Sequence, residues 1–169
     1  MNKRAAAFAA AVFLLAAVSS AADDPLAAAR FLIGKWDPVG TKPGDPTGST
    51  TFASSLQNRV IVRNNTAKYP AGNGRPAYTH EDLLVIYAEG NGVRADYWDS
   101  EGNVAKYTMA SPSANYVIFT GDKVKGMARS RLSYKLAPDG TVNGYFEVAP
   151  AANPDAFAPY LAWAAKRAR

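Results

Sequence analysis

The fold is decided by residues 77–99, which read AYTHEDLLVIYAEGNGVRADYWD. Two segments rich in β-branched and aromatic residues flank the turn Glu89-Gly90-Asn91-Gly92, where glycine supplies the positive φ that a tight hairpin needs. These residues therefore predict a β-hairpin. Similar short segments of Val, Ile, Thr, Tyr and Phe, separated by Gly, Pro, Asn and Asp, continue from residue 36 to residue 148.

The repeated pattern predicts an all-β domain of antiparallel strands. Because the connecting turns are short, consecutive strands should be neighbours. An up-and-down barrel of about 8–10 strands closes such a sheet and removes its edges, whereas a sandwich needs longer crossing connections. The nine predicted strands are Trp36–Gly40, Ser49–Gln57, Arg59–Ala67, Ala77–Ala88, Val93–Asp99, Val104–Ala110, Asn115–Thr120, Met127–Ala137 and Val142–Ala149.

One helix is predicted on each side of the strands. Asp24 is a suitable N-cap, Pro25 suits the first helical position, and Gly34 ends a short N-terminal helix. A C-terminal helix is predicted over residues 153–168, with the basic residues of its last turn favouring the helix C-terminus. Its apolar face follows the i, i+3, i+4, i+7 spacing of Phe157, Tyr160, Leu161 and Ala164.

Residues 1–22 have the features of a secretory signal peptide. Lys3 and Arg4 precede an alanine- and leucine-rich stretch, and small residues lead to a cleavage site after Ala22. The apolar stretch is shorter than the roughly 18 residues expected of a membrane span, so no stable membrane insertion is predicted. We therefore expect a single barrel domain, residues 23–169, in the periplasm or secreted.

Composition excludes several classes of function. The 169 residues include no cysteine, which rules out disulfides and thiolate chemistry. Loss of Lys3 and Arg4 with the signal would leave 17 basic and 14 acidic residues, a net charge of +3. Because these charges form no basic stripe, a nucleic-acid partner is not expected. The oligomeric state is left open.

Strand alternation sorts the predicted connections between the two ends of the barrel. One end receives the longer loops, and the other receives the tight turns and the N-terminal helix. The predicted shape is a cup, and barrels of about eight strands can hold one small ligand. Loops are where binding groups concentrate, so the looped end is the candidate mouth.

Particular stretches of the sequence carry more information than the strand pattern. The junction of the first helix and the first strand reads Gly34-Lys35-Trp36, a Gly-x-Trp motif. The other stretches are LQNRVIVRNN (56–65), HEDLLVIY (80–87), ADYWDSEG (95–102), FEVAP (146–150) and FAPYL (157–161).

Together these stretches resemble a family of bacterial secreted proteins with a lipocalin-like domain of unknown function, over residues 31–169. The resemblance implies export and a calycin-type barrel, with Gly34 and Trp36 as structural signature residues. The candidate for the lipocalin signature arginine is Arg131. The resemblance implies no particular reaction.

A group of polar and aromatic residues falls toward the looped ends of predicted strands three, four and five. We predict that Arg63, His80, Tyr97 and Asp99 ring the mouth and, with Tyr107, bind a ligand. The structural alternative is an ion pair between Arg63 and Asp99, with Tyr97 packed inside. The direction in which Tyr107 faces is left open.

His80 is the only histidine, which excludes multi-histidine metal centres, and no metal is predicted. One axial imidazole could still bind haem, although a lone histidine beside Glu81 and Asp82 is more often a hydrogen-bonded structural residue. His80 and Asp82 share one face of a strand, so acid–base chemistry is possible. No Gly-x-Ser-x-Gly nucleophile motif occurs.

Three functional hypotheses follow. The leading one is a barrel that binds a small, mostly apolar molecule without transforming it and without a cofactor. The second is an enzyme that acts on such a ligand through His80 and Asp82. The third is a structural envelope protein whose barrel is filled by its own aromatic residues. The third hypothesis requires a packed interior, whereas the first two require space for a ligand inside the barrel.

Overall fold

Ten strands form a closed antiparallel barrel in the computed structural model, which describes residues 24–72 and 74–168 except the side chain of residue 112. The predicted signal peptide, residues 1–22, lies outside the described residues. The strands are β1 (Gly34–Pro38), β2 (Thr47–Ser55), β3 (Val60–Tyr69), β4 (Tyr78–Glu89), β5 (Gly92–Asp99), β6 (Val104–Ser113), β7 (Tyr116–Gly121), β8 (Arg129–Leu136), β9 (Val142–Ala149) and β10 (Ala158–Arg167).

The predicted all-β, up-and-down barrel is confirmed. Every strand pairs antiparallel with its neighbours in the chain, and β10 pairs with β1 to close the ring. The nine predicted strands each overlap one of the strands β1 to β9. A short 3₁₀ helix, Ala27–Leu32, precedes β1. Among the described residues, no helix has both the length and the apolar character needed to cross a membrane.

The predicted C-terminal helix over residues 153–168 is wrong, because residues 158–167 form the strand β10. Trp163 pairs with Gly144 on β9, and Arg167 pairs with Trp36 on β1, so both edges of β10 are hydrogen-bonded. A helix here would leave β1 and β9 as open sheet edges. Closure of the barrel therefore outweighs the local helical spacing of the apolar residues.

The two ends of the barrel differ as predicted. The closed end carries the 3₁₀ helix and the tight links that follow β2, β4, β6 and β8. In the link after β4, Gly90 adopts a φ of +57°, which supports the predicted hairpin. The open end carries the other connections, residues 39–46, 70–77, 100–103, 122–128 and 150–157.

The Gly-x-Trp motif forms a packed corner at the closed end. Trp36 is 3% exposed, and its Nε1 donates a hydrogen bond of 2.6 Å to the carbonyl of Leu32. The Arg167 guanidinium lies 4.7 Å from the centre of the Trp36 ring and donates to the carbonyl of Ile33. Gly34 has a φ of +141°, and a Cβ there would lie 2.2 Å from Arg167 Nη1. This corner therefore requires glycine at position 34.

The expected signature arginine, Arg131, does not contact this corner. Its guanidinium instead forms two hydrogen bonds with Glu147 on the neighbouring strand β9, at 2.7 and 2.8 Å. The arginine that covers Trp36 is Arg167, which lies on β10 and not in the last turn of the predicted helix. The assignment of Arg131 as a signature residue stays a prediction.

Candidate functional site

The inner wall of the barrel changes from buried in its middle to exposed at its open end. On β4, Leu84 and Ile86 are 0% exposed, Asp82 is 9% exposed, His80 is half-buried and Tyr78 is 44% exposed. These alternate residues share one face of the strand. On this strand the inner face is therefore buried in the middle and accessible to solvent toward the open end, and the small side chain of Ala88 at the closed end is exposed as well.

Aromatic rings fill the middle of the barrel. The buried ring of Tyr134 makes edge-to-face contacts with Phe52, Phe119 and Trp163, at centre-to-centre distances of 5.5, 6.4 and 6.0 Å. Such contacts between packed rings are favourable beyond the area they bury. These rings occupy the middle of the barrel, so a ligand that enters from the loops has space only in the open half.

A buried ion pair forms the floor of that open half. Arg63 is 5% exposed and donates hydrogen bonds to the Tyr134 hydroxyl and to Asp82 Oδ1. Burial opposes the charged form, but Tyr134 and Asp82 outweigh it and hold the pKa of Arg63 above its ordinary value. The guanidinium therefore stays charged and fixes the position of the Asp82 carboxylate.

His80 lies above this ion pair, between two carboxylates. Its Nε2 is 3.1 Å from Asp82 Oδ2, and its Nδ1 is 2.7 Å from Glu101 Oε2 in the β5–β6 link. The predicted pairing of His80 with Asp82 on one strand face is therefore present. Ligation of haem by His80 would require one of these two contacts to break. An acid–base role for the pair stays a prediction.

Tyr97 and Asp99 lie beside the histidine on β5. The Tyr97 hydroxyl donates to Asp99 Oδ2 at 3.1 Å, and the Tyr97 ring meets the Tyr107 ring edge to face at 6.5 Å. Burial, reinforced by the carboxylates of Asp82 and Asp99, raises the pKa of Tyr97. Tyr107 faces inward, is 2% exposed, and shares a hydrogen bond of 2.9 Å with Ser130.

The structure thus brings all the predicted ligand-binding residues, Arg63, His80, Tyr97, Asp99 and Tyr107, to the inner wall of the barrel. The alternative ion pair between Arg63 and Asp99 is absent from the described contacts, because Arg63 pairs with Asp82. Asp99 instead accepts hydrogen bonds from Tyr97 and Asn103. Arg63 and Tyr107 are framework residues of the site, whereas His80, Tyr97 and Asp99 keep some exposure to the mouth.

Sequence reasoning missed several members of the same network. Asn65 donates to Asp82 Oδ2 at 2.8 Å and accepts from Thr50 Oγ1 at 2.6 Å. Asn65 could have been found, because it lies two residues after Arg63 and therefore on the same strand face. Glu101 belongs to a hairpin link, and no periodicity indicates where its side chain points.

Aromatic side chains line the mouth above the polar group. The rings of Tyr69 and Tyr78 stack at 4.6 Å on adjacent strands, and the ring of Phe146 meets that of Tyr160 edge to face at 6.0 Å. Leu161, beside Tyr160 on β10, is 46% exposed. The mouth therefore combines an apolar rim with polar groups beneath it, the usual composition of a small-molecule pocket.

One set of side chains has the residue types of a cation site. Donor atoms of His80, Asp99 and Glu101 all lie within 4.8 Å of one another. The Asp99 oxygens, however, already accept hydrogen bonds from Tyr97 and Asn103, and Glu101 already contacts the His80 ring. We therefore assign no metal to this set.

Comparison with known proteins adds no relative to this picture. No protein-family model matches the sequence, and no curated protein matches it significantly. The fold supports the coarser description, a closed ten-strand antiparallel barrel consistent with a lipocalin-like barrel. The resemblance to the secreted lipocalin-like family stays a prediction.

Proposed function

We propose that this chain is an exported lipocalin-like barrel that binds a small, mostly apolar molecule in the open half of its interior. The observation that carries the proposal is the graded burial along the inner wall, from fully buried Leu84 to exposed Tyr78. A barrel built only as a packed structural element would have no reason to keep polar groups and aromatic rings exposed on its inner face at one end.

The two layers of the mouth suggest how such a molecule would be held. The apolar body would contact the apolar side chains at the mouth, which include Tyr69, Phe146 and Leu161. The polar end would reach His80 and Tyr97, while the buried Arg63 keeps the layer beneath them in place. Because aromatic rings fill the barrel centre, the ligand is expected to be small and to enter only partway.

The charges of the polar layer predict the chemistry of the ligand's polar end. One guanidinium, Arg63, lies among the carboxylates of Asp82, Asp99 and Glu101, and it is already paired. A negatively charged ligand group would therefore meet a net negative surface. We expect the ligand to present a hydrogen-bond donor or a positive charge rather than a carboxylate.

Binding is tested with N-phenyl-1-naphthylamine, a neutral apolar probe that carries one N–H donor and fluoresces when bound. We expect Leu161→Glu to weaken its binding about tenfold or more, because a charge replaces apolar surface at the mouth. Tyr145→Glu is the matched control, because Tyr145 is 43% exposed against 46% for Leu161 and lies on the outer face of β9. Equal losses in both variants would overturn the proposal.

The natural ligand is sought by native mass spectrometry of protein purified from its own cell envelope. A retained small molecule that is lost from Leu161→Glu and kept by Tyr145→Glu is the expected result. If neither a retained molecule nor probe binding is found, the filled-barrel hypothesis replaces this one.

Export is tested separately by the intact mass of the protein recovered outside the cytoplasm. Cleavage after Ala22 would leave Asp23 as the first residue. An exported protein whose mass still includes residues 1–22 would contradict the proposed signal cleavage.

A further inference from the structure

Exposed apolar side chains are concentrated around the open end of the barrel. Of the ten large hydrophobic residues that are exposed among the described residues, eight lie at this end. The other two are Leu56, in the tight turn after β2 at the closed end, and Tyr145, within β9. We call the eight the rim: Val39, Tyr78, Trp98, Val104, Val124, Met127, Tyr160 and Leu161.

One part of the rim is the connection between β7 and β8. It reads Lys123-Val124-Lys125-Gly126-Met127, and both Val124 and Met127 are 61% exposed. A hydrogen bond of 3.1 Å from the Met127 amide to the Val124 carbonyl folds the segment into a turn. Apolar tips flanked by lysines are typical of segments that enter the headgroup region of a bilayer.

Among the described residues, most charged side chains of the open-end loops that lack an oppositely charged partner are cations. The loop carboxylates are engaged within the protein: Asp45 accepts from a backbone amide, Glu101 contacts His80, Asp122 pairs with Arg94, and Asp155 pairs with Lys123 and Arg129. The side chains of three loop cations, Lys42, Arg75 and Lys125, form no ion pair within 4.0 Å among the described residues, and the exposed Asp45 carboxylate binds the backbone amide of Lys42.

We propose that the rim docks on the surface of a phospholipid membrane that contains anionic headgroups. Val124 and Met127 would enter the interfacial zone, the tyrosines and Trp98 would lie at headgroup level, and the free loop cations would contact lipid phosphates. The mouth would then face the lipid, so that an apolar ligand could pass between membrane and barrel without crossing water.

This proposal goes beyond the proposed function and does not require a bound ligand. Its test is flotation of the mature protein with vesicles of phosphatidylcholine, with and without phosphatidylglycerol. We expect binding to the phosphatidylglycerol vesicles that weakens as salt screens the cations. The double variant Val124→Glu/Met127→Glu should lower the bound fraction about tenfold or more, because both apolar tips become charged.

Leu56→Glu is the matched control, because Leu56 is 70% exposed and lies at the closed end. This variant should bind vesicles like the wild type. Lys125→Glu should reduce binding to phosphatidylglycerol vesicles about fivefold, with little change for phosphatidylcholine alone. Melting temperatures of all variants establish that they are folded, and retained probe binding in the double variant separates this test from that of the proposed function.

Two results would overturn the proposal. The first is no vesicle binding by the wild type, or an equal loss in Leu56→Glu and in the double variant. The second is self-association of the wild type that Val124→Glu/Met127→Glu abolishes, measured by light scattering without lipid. In that case the rim is a contact between copies of this chain.

Discussion

Arg63 and Tyr134 join opposite walls of the barrel. They lie on β3 and β8, which are separated by the same number of strands in both directions around the closed ring, and the Arg63 guanidinium donates to the Tyr134 hydroxyl. Because Asp82 binds the same guanidinium, three strands meet at one buried polar point. This point separates the aromatic core from the open half of the interior.

The first prediction concerns that buried ion pair. Arg63→Met leaves the Asp82 carboxylate buried without its cation, which should cost about 3–5 kcal/mol in the free energy of unfolding. Adding Asp82→Asn should recover part of the loss, so that the double variant is more stable than the sum of the single effects implies. Urea unfolding measures both values.

The control for this comparison is Arg131→Met. The ion pair between Arg131 and Glu147 is partly exposed, since the Arg131 side chain is 34% exposed. We therefore expect this variant to lose at most about 1 kcal/mol in the free energy of unfolding. Equal losses for Arg63→Met and Arg131→Met would show that the central ion pair does not hold the barrel together.

The second prediction concerns the corner at the closed end. Trp36→Ala should cost about 3–5 kcal/mol, because a buried indole and its hydrogen bond to Leu32 are both lost. Trp98→Ala, on the outer face and 41% exposed, should cost less than about 1 kcal/mol. A loss below about 1 kcal/mol for Trp36→Ala in chemical unfolding would mean that the ring is not buried.

The third prediction tests β10. A Cβ at Gly144 would lie 2.2 Å from the Trp163 ring, so Gly144→Val must displace that ring and should cost about 1–3 kcal/mol. A shift in tryptophan fluorescence should accompany the loss. At Gly92 the nearest atom to an added Cβ is 3.9 Å away, so Gly92→Val serves as the control. An unchanged fluorescence spectrum in Gly144→Val would argue for the helix instead.

The fourth prediction concerns acid stability. Burial alone would raise the pKa of Asp99, but hydrogen bonds from Asn103, Tyr97 and the Glu101 amide outweigh it and lower the pKa below its ordinary value. The stabilisation is therefore complete above about pH 4, the ordinary pKa of aspartate, and is lost as the pH falls through the lower folded-state pKa.

Asp99→Asn should therefore be less stable than the wild type at pH 6, and the difference should shrink progressively as the pH is lowered below about 4. Chemical unfolding at several pH values measures the difference. If the difference in the free energy of unfolding between Asp99→Asn and the wild type is the same at every pH, the lowered pKa of Asp99 is contradicted.

Turn chemistry and alternation were sufficient to predict nine of the ten strands. They were not sufficient for β10, because the spacing of Tyr160, Leu161 and Ala164 fits a helix as well as Leu161, Trp163 and Ala165 fit a strand face. Only pairing with β1, distant in the sequence, decides between them. The same error removed Arg167 from consideration beside Trp36.

The candidate site shows the same division between local and long-range information. Alternation placed His80 and Asp82 on one face, and strand order placed Arg63 and Tyr97 near them. The partner of Arg63 across the barrel is Tyr134, 71 positions later, and no local pattern connects the two. Side-chain pairing across a barrel depends on strand number and stagger, which emerge only when the sheet closes.

Because β10 closes the barrel, the sheet can close only in a chain that includes β10. Arg167 binds the carbonyl of Ile33, 134 positions earlier, and contacts of such separation form late because long loops must first be ordered. In a chain that emerges N-terminus first, β1 therefore keeps a bare edge until β10 arrives. A chain that stops short of β10 exposes two sheet edges, so truncated copies should be eliminated by proteolysis or aggregation while full-length copies persist.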